Sequence, residues 1–182
     1  MKWTTRIPSI SDENWSSVWT LTKHLKKANH LQLHHGLYSI ITGRHIVPTV
    51  AVGKDKVYKQ CRYCPSKDWS TTHTTFECNR IKRTWQTIWS FEKKSTPITL
   101  FDILTVDGYN NTDKKPFVLK LTKTQLKMLI LMREIITWIE RHNNEEDPLA
   151  NPLVIQDEDE FVKEMLSNID AKLVYFTKLG VG

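Results

Sequence analysis

Three cysteines and a histidine stand close together in a chain with no other cysteine: Cys61, Cys64, His73 and Cys78, in the pattern C-x2-C-x8-H-x4-C. Two cysteines separated by two residues can direct both sulfurs at one cation from a tight turn, here helped by Pro65. A histidine and a cysteine five positions apart can do the same from the start of a helix, and the intervening loop closes the tetrahedron. Three thiolates and one imidazole, with no carboxylate and no open position, describe a structural zinc site rather than a catalytic one. An odd number of cysteines cannot all pair, which argues against a disulfide-built secreted domain. Two other readings stay open from the spacing alone: inert buried thiols, and a redox pair at Cys61 and Cys64, although no βαβ pattern surrounds that pair.

Cations flank the cysteines: Lys59, Arg62, Lys67, Arg80, Lys82 and Arg83. They favour thiolate over thiol and offset the net negative charge of a Cys3His zinc centre. In zinc-finger peptides the metal contributes roughly 10–16 kcal/mol of apparent binding energy, which becomes folding energy. That exceeds what so short a loop can gain by burying Tyr63, Trp69 and Phe76, so the segment from Cys61 to Cys78 is expected to be disordered without metal. Trp69 lies in the loop between Cys64 and His73, without helical partners and near Lys67. It can stack on an unpaired base or pack over the metal-bound thiolates.

The elements that must hold these residues read as helices. Ser11 can cap a first helix, with Asp12 and Glu13 at its positive end and Trp15, Val18, Trp19, Thr22 and Leu25 at helical spacing. A second runs from about Asn29 to Thr42 and stops at Gly43. Pro48 and Gly53 punctuate a loop, and Val57 to Gln60 reads as a short extended piece. A third helix starts near Cys78 and aligns Ile81, Trp85, Ile88 and Trp89. The tryptophans on the first and third helices read as core. Leu100 to Leu104 is a short helical pattern, and the turn-rich stretch Asp107 to Lys115 is the best linker. A long helix, about Thr122 to His142, is apolar over most of its circumference. After an acidic loop from Asn143 to Asp157, a last helix opens with Asp157 and Glu160 in a capping arrangement. No window alternates with period two.

Charge divides along the chain. Residues 1–94 hold 16 Lys/Arg and 6 Asp/Glu, a net of +10, whereas residues 95–182 hold 10 and 14, a net of −4. A nucleic-acid surface therefore belongs in the first half. Arg62, Lys67, Arg80, Lys82 and Arg83 are the expected phosphate contacts, with Trp69 as a stacking platform. Several function classes find no support. His30 and His34 stand at i and i+4 but lack the Glu of H-E-x-x-H, and neither G-x-S-x-G nor a P-loop occurs. The N-terminus has no apolar signal core. The most apolar stretch, Leu119 to Ile139, is interrupted by Lys120, Lys123, Lys127, Arg133 and Glu134, where a bilayer helix needs about 20 largely uncharged residues. An intracellular protein without membrane association is expected.

The stretch CRYCPSKDWSTTHTTFECNRIKRTW resembles the reverse-transcriptase zinc-binding domain found near the C-terminus of non-LTR retrotransposon polyproteins and in stand-alone derivatives. Cys61, Cys64, His73, Cys78 and Trp85 each occupy their place in that family's pattern. Thr71 matches the Thr of its Glu-Thr pair, with Ser70 in the place of the Glu, and Phe76 matches the residue before the last Cys. Upstream, HHGLYSIITGRHIVPT is similar to the family's helical lead-in. The resemblance spans roughly Trp15 to Trp89 and is absent from about residue 95 onward. It implies a zinc-binding, nucleic-acid-binding tail of such an element, present as a free product or a remnant. It does not imply a polymerase: that activity resides in a separate domain with an aspartate pair, and this chain contains no adjacent Asp-Asp.

The expected architecture is mainly α: a helical domain with a small zinc-stabilised Cys3His knuckle and minimal β. Residues 1–94 form the helical lead-in and zinc module, and residues 95–182 an acidic helical region packed on it or linked to it. One structural zinc is the expected cofactor, RNA or single-stranded DNA the expected partner, and catalysis is not expected. The alternative is a protein-interaction or scaffold module using the C-terminal helices, or a retrotransposon remnant without a selected role.

Overall fold

The longest apolar helix organises the molecule. A computed structural model describes residues 10–44, 49–52, 54–58, 60–61, 63–64, 66–92, 95–110, 119–144 and 157–181. The described elements are, in chain order, α1 (Asp12–Lys27), α2 (Leu31–Thr42), β1 (Thr49–Val52), β2 (Asp55–Tyr58), a π-helical segment (His73–Glu77), α3 (Asn79–Glu92), α4 (Leu100–Leu104), α5 (Lys123–Asn144) and α6 (Glu158–Lys178). The fold is mainly helical, and its sheet is one antiparallel ribbon in which Thr49 pairs with Tyr58 and Val52 with Asp55.

Helix α5 lies at the centre because it has almost no polar face to show to water. Met128, Leu129, Ile130, Leu131, Met132 and Ile135 are all fully buried, as an all-round apolar helix requires. It packs against α2, α3 and α6, and α1 covers α2. Glu134, buried on α5, is ion-paired with Lys172 of α6, which compensates a charge that would be costly alone. The closest approach is at Gly36 of α2: a Cβ there would lie 2.7 Å from the Arg133 amide nitrogen. Residues on both sides of position 94 share one core, and Cys61, Cys64 and Cys78 belong to it.

Local chemistry sets the helix ends. Ser11 Oγ accepts from the Asn14 amide and starts α1. Asn29 adopts φ +62°, and the His30 amide donates to the Leu25 carbonyl, so Asn29 terminates α1 instead of opening α2. Gly43 at φ +59° stops α2 in the same way. Thr99 and Asp102 form a reciprocal capping box on α4, and Thr122 and Gln125 exchange equivalent bonds at the start of α5. Asp157 precedes α6 but its side chain caps nothing, which corrects the expected arrangement with Glu160. The expected loop around Pro48 is partly strand β1. Residues 111–118 of the expected linker and 145–156 of the acidic loop lie outside the described residues. Among the described residues no helix is long and apolar enough to cross a membrane.

Candidate metal centre

The four residues singled out by spacing converge. One donor atom from each of Cys61, Cys64, His73 and Cys78 lies within 4.8 Å of every other, and all four residues are buried. Two structural devices bring them there. The first is a turn: the Cys61 amide donates to the Lys67 carbonyl and the Lys67 amide to the Cys64 carbonyl. A bridge between Gln60 and Asp68 closes its ends, and Ser66 takes φ +59°. The second is the π-helical segment. In an ordinary α-helix, residues five apart project about 140° from each other. Here the Cys78 amide donates to the His73 carbonyl five residues back, and this wider turn brings His73 and Cys78 to one side.

Neighbouring groups hold both devices in place. Ser70 Oγ accepts from the His73 amide, capping the turn that carries the histidine; this is what the residue at the Glu position does here. The Trp85 indole donates to the Thr75 carbonyl at 2.9 Å, and Trp85 is fully buried. That bond satisfies a carbonyl within the π-helical segment, so Trp85 fixes the shape on which the His73–Cys78 pairing depends. The Cys78 carbonyl accepts the first hydrogen bond of α3, from Lys82, placing this sulfur at a helix N-terminus, where the dipole favours thiolate.

The electrostatics suit a cation. The amides of Tyr63 and Arg80 donate to the sulfurs of Cys61 and Cys78 respectively. Hydrogen bonding from the Cys78 thiol, helped by the Tyr63 amide and His73 and opposed by burial, pulls Cys61 down to about 5. The same pairing, together with burial, pushes Cys78 up. Metal binding removes this competition because every sulfur can then be a thiolate.

The residues fit a metal ion. Cys64 Sγ and Cys78 Sγ are 3.8 Å apart, the edge of a regular tetrahedron built on bonds of about 2.3 Å to sulfur. His73 is 3% exposed and its Nε2 has no hydrogen-bond partner, a costly state for a buried polar ring unless a ligand bond satisfies it. The cysteines are free rather than disulfide-bonded. Four buried Cys and His side chains thus stand close enough to hold one metal ion, and no second such group occurs among the described residues.

The expected nucleic-acid residues fare differently. Trp69 is 3% exposed, its ring 5.2 Å from Trp138 of α5, so it is a core residue and no base can lie on it. Tyr63 completes this aromatic group at 6.0 Å from Trp138, and Phe161 of α6 joins it at 5.4 Å. Arg80 is buried with its guanidinium 4.1 Å from the centre of the Tyr63 ring, a cation–π contact close to the thiolates rather than a phosphate contact. Arg83 is exposed but paired with Glu158 and Asp159 of α6. Lys67 and Lys82 are exposed, and Arg62 lies outside the described residues. Sequence reasoning did not find Trp138, which lies sixty residues from the last cysteine; no local pattern carries a long-range ring contact.

No family model, no curated protein and no solved structure matches this chain.

Proposed function

We propose that this chain is a zinc-stabilised helical module that binds nucleic acid and carries no polymerase chemistry of its own. The observation that carries the reading is the convergence of Cys61, Cys64, His73 and Cys78, all buried and mutually within 4.8 Å, in the half of the chain with net charge +10. A donor set of three thiolates and an imidazole favours zinc over magnesium or calcium. With four protein ligands, such a metal acts as a cross-link. Binding to a polyanion through that positive half operates by charge neutralisation and counterion release, with little reading of sequence. The resemblance of the cysteine pattern to the reverse-transcriptase zinc-binding domain supports both parts and suggests derivation from a non-LTR retrotransposon.

Titration of a fluorescent single-stranded RNA with the zinc-loaded chain at about 50 mM and 200 mM salt tests the reading. Affinity should fall steeply between the two, by orders of magnitude for several phosphate contacts. Undetectable binding at the lower concentration, or affinity indifferent to salt, contradicts it.

A second reading, a protein-interaction module, is favoured by one feature. Val174, Tyr175 and Leu179 near the end of α6 are each more than half exposed. The apolar circumference of α5 does not support it, being buried within this chain. A zinc-loaded oligomer that ignores nucleic acid in light scattering and titration would favour this reading over the first.

A further inference from the structure

Between Glu13 and Asp55 the chain has no carboxylate at all, but five Lys/Arg and five His. Helices α1 and α2 occupy most of that interval, and their outward side combines cations with half-buried rings. Trp15, Trp85 and Trp89 are buried, whereas Trp19 is only half-buried. Its ring meets Tyr38 of α2 edge-on at 6.2 Å, and Tyr38 stacks on His34 at 5.7 Å with planes 16° apart. The Arg44 guanidinium donates to the Tyr38 hydroxyl at 3.2 Å. Lys23 and Lys26 follow Trp19 along the exposed side of α1, and no ion pair among the described residues engages either. Burial and the charge of Lys26 hold His34 below the ordinary imidazole value, so the ring is neutral and aromatic at neutral pH.

We infer that the α1–α2 side bearing Trp19, Lys23, Lys26, His34, Tyr38 and Arg44 is where the protein takes single-stranded nucleic acid. The inference rests on the nucleic-acid reading above and moves the contact surface away from the metal centre, where Arg80 is buried and Arg83 is paired. Charge complementarity argues for a polyanion, since a continuous run of cations without acids repels basic partners and attracts phosphate. The rings argue for unpaired bases. Stacking on aromatic side chains needs an open base face, which a duplex conceals, and it tolerates any sequence.

The test uses the full zinc-loaded chain and a fluorescein-labelled single-stranded RNA of mixed sequence, read by anisotropy across a salt series. The double variant Lys23→Ala/Lys26→Ala should bind about 10-fold or more weakly at low salt and lower the salt slope by about two, one for each lost phosphate contact. Both lysines are exposed, so circular dichroism and zinc content should match the wild type. Trp19→Ala should weaken binding about 5-fold while leaving the salt slope unchanged, because stacking is not ionic. Lys163→Ala/Lys178→Ala, which removes equal charge from α6, should bind like the wild type. The duplex of the same sequence and polyglutamate should both bind less tightly than the single strand.

Wild-type affinity in Lys23→Ala/Lys26→Ala overturns the inference. If Lys67→Ala/Lys82→Ala is the variant that loses binding, the nucleic-acid reading stands and this surface is wrong. If the wild type binds no RNA, both fall. Polyglutamate binding as tightly as RNA would make the surface an acidic-protein site and likewise overturn the inference.

Discussion

Replacing Gly36 by alanine reverses the usual sign of a helix substitution. Within a helix, Gly→Ala ordinarily gains about 1 kcal/mol, because alanine loses less backbone entropy and is the better helix former. At Gly36 the added Cβ would stand 2.7 Å from the Arg133 nitrogen and 2.9 Å from its Cα. Carbon contacts settle at about 3.5–4.0 Å, so α2 must withdraw from α5 by nearly 1 Å. The obstacle is backbone, and no rotamer change relieves it. Leu33, Leu37 and Ile40, each at most 1% exposed, would lose part of their contact with neighbours. Overpacking of this kind costs about 1–3 kcal/mol, and a backbone clash belongs at the upper end. Subtracting the propensity gain leaves a net destabilisation of about 2 kcal/mol. Urea denaturation of the metal-loaded protein should show the midpoint falling by about 1 M with an unchanged slope. A variant as stable as the wild type, or more so, would refute the close α2–α5 crossing and the arrangement of helices built around it.

Three further substitutions probe the site and the surface. Trp85→Phe leaves the Thr75 carbonyl without its buried donor and opens space beside it. A loss of about 2–4 kcal/mol is expected, together with about 10-fold weaker metal retention in chelator competition; unchanged retention would mean that the indole does not shape the π-helical segment. Ser66→Gly relieves a left-handed backbone at φ +59° and should raise the melting temperature by about 1–4 °C, whereas a lower value contradicts the turn geometry. The lowered value of His34 means that the folded protein binds its proton less readily than the unfolded chain. Its contribution is therefore present above the unfolded value of 6.5 and is lost as pH falls through the depressed folded value. His34→Gln should accordingly flatten the fall in stability between about pH 7 and pH 5 relative to the wild type, and an unaltered slope would exclude this burial.

The parts of this molecule legible in the sequence are those governed by local chemistry. Ser11 and Gly43 mark helix ends because capping and left-handed geometry are decided within a few residues. The Cys3His spacing is legible because a tetrahedral ion restricts how far apart its ligands can lie in the chain. Asn29 misled the reading because a non-glycine residue took the left-handed position that ends α1. The π-helical turn was not legible: a four-residue gap between His73 and Cys78 is compatible with several backbones, and the Trp85–Thr75 bond that favours this one joins residues ten apart. Trp69, Arg80 and Arg83 illustrate the larger limit. Each looked available from its neighbours in sequence, and each is engaged by a residue from a distant element or from the far side of the metal loop: Trp138, Tyr63, and Glu158 with Asp159. Surface availability is a property of packing, which no window of residues records.

The account depends most directly on metal content. Protein purified without added metal, dialysed against a weak chelator and measured by mass spectrometry should retain one zinc per chain. Cys61→Ser and Cys78→Ser should each lose it, and stripping the wild type with a strong chelator should abolish protection of the Cys61–Cys78 amides from hydrogen exchange. A chain that holds far less than one zinc, with those amides as protected as before, would contradict the claim that a metal ion organises this fold.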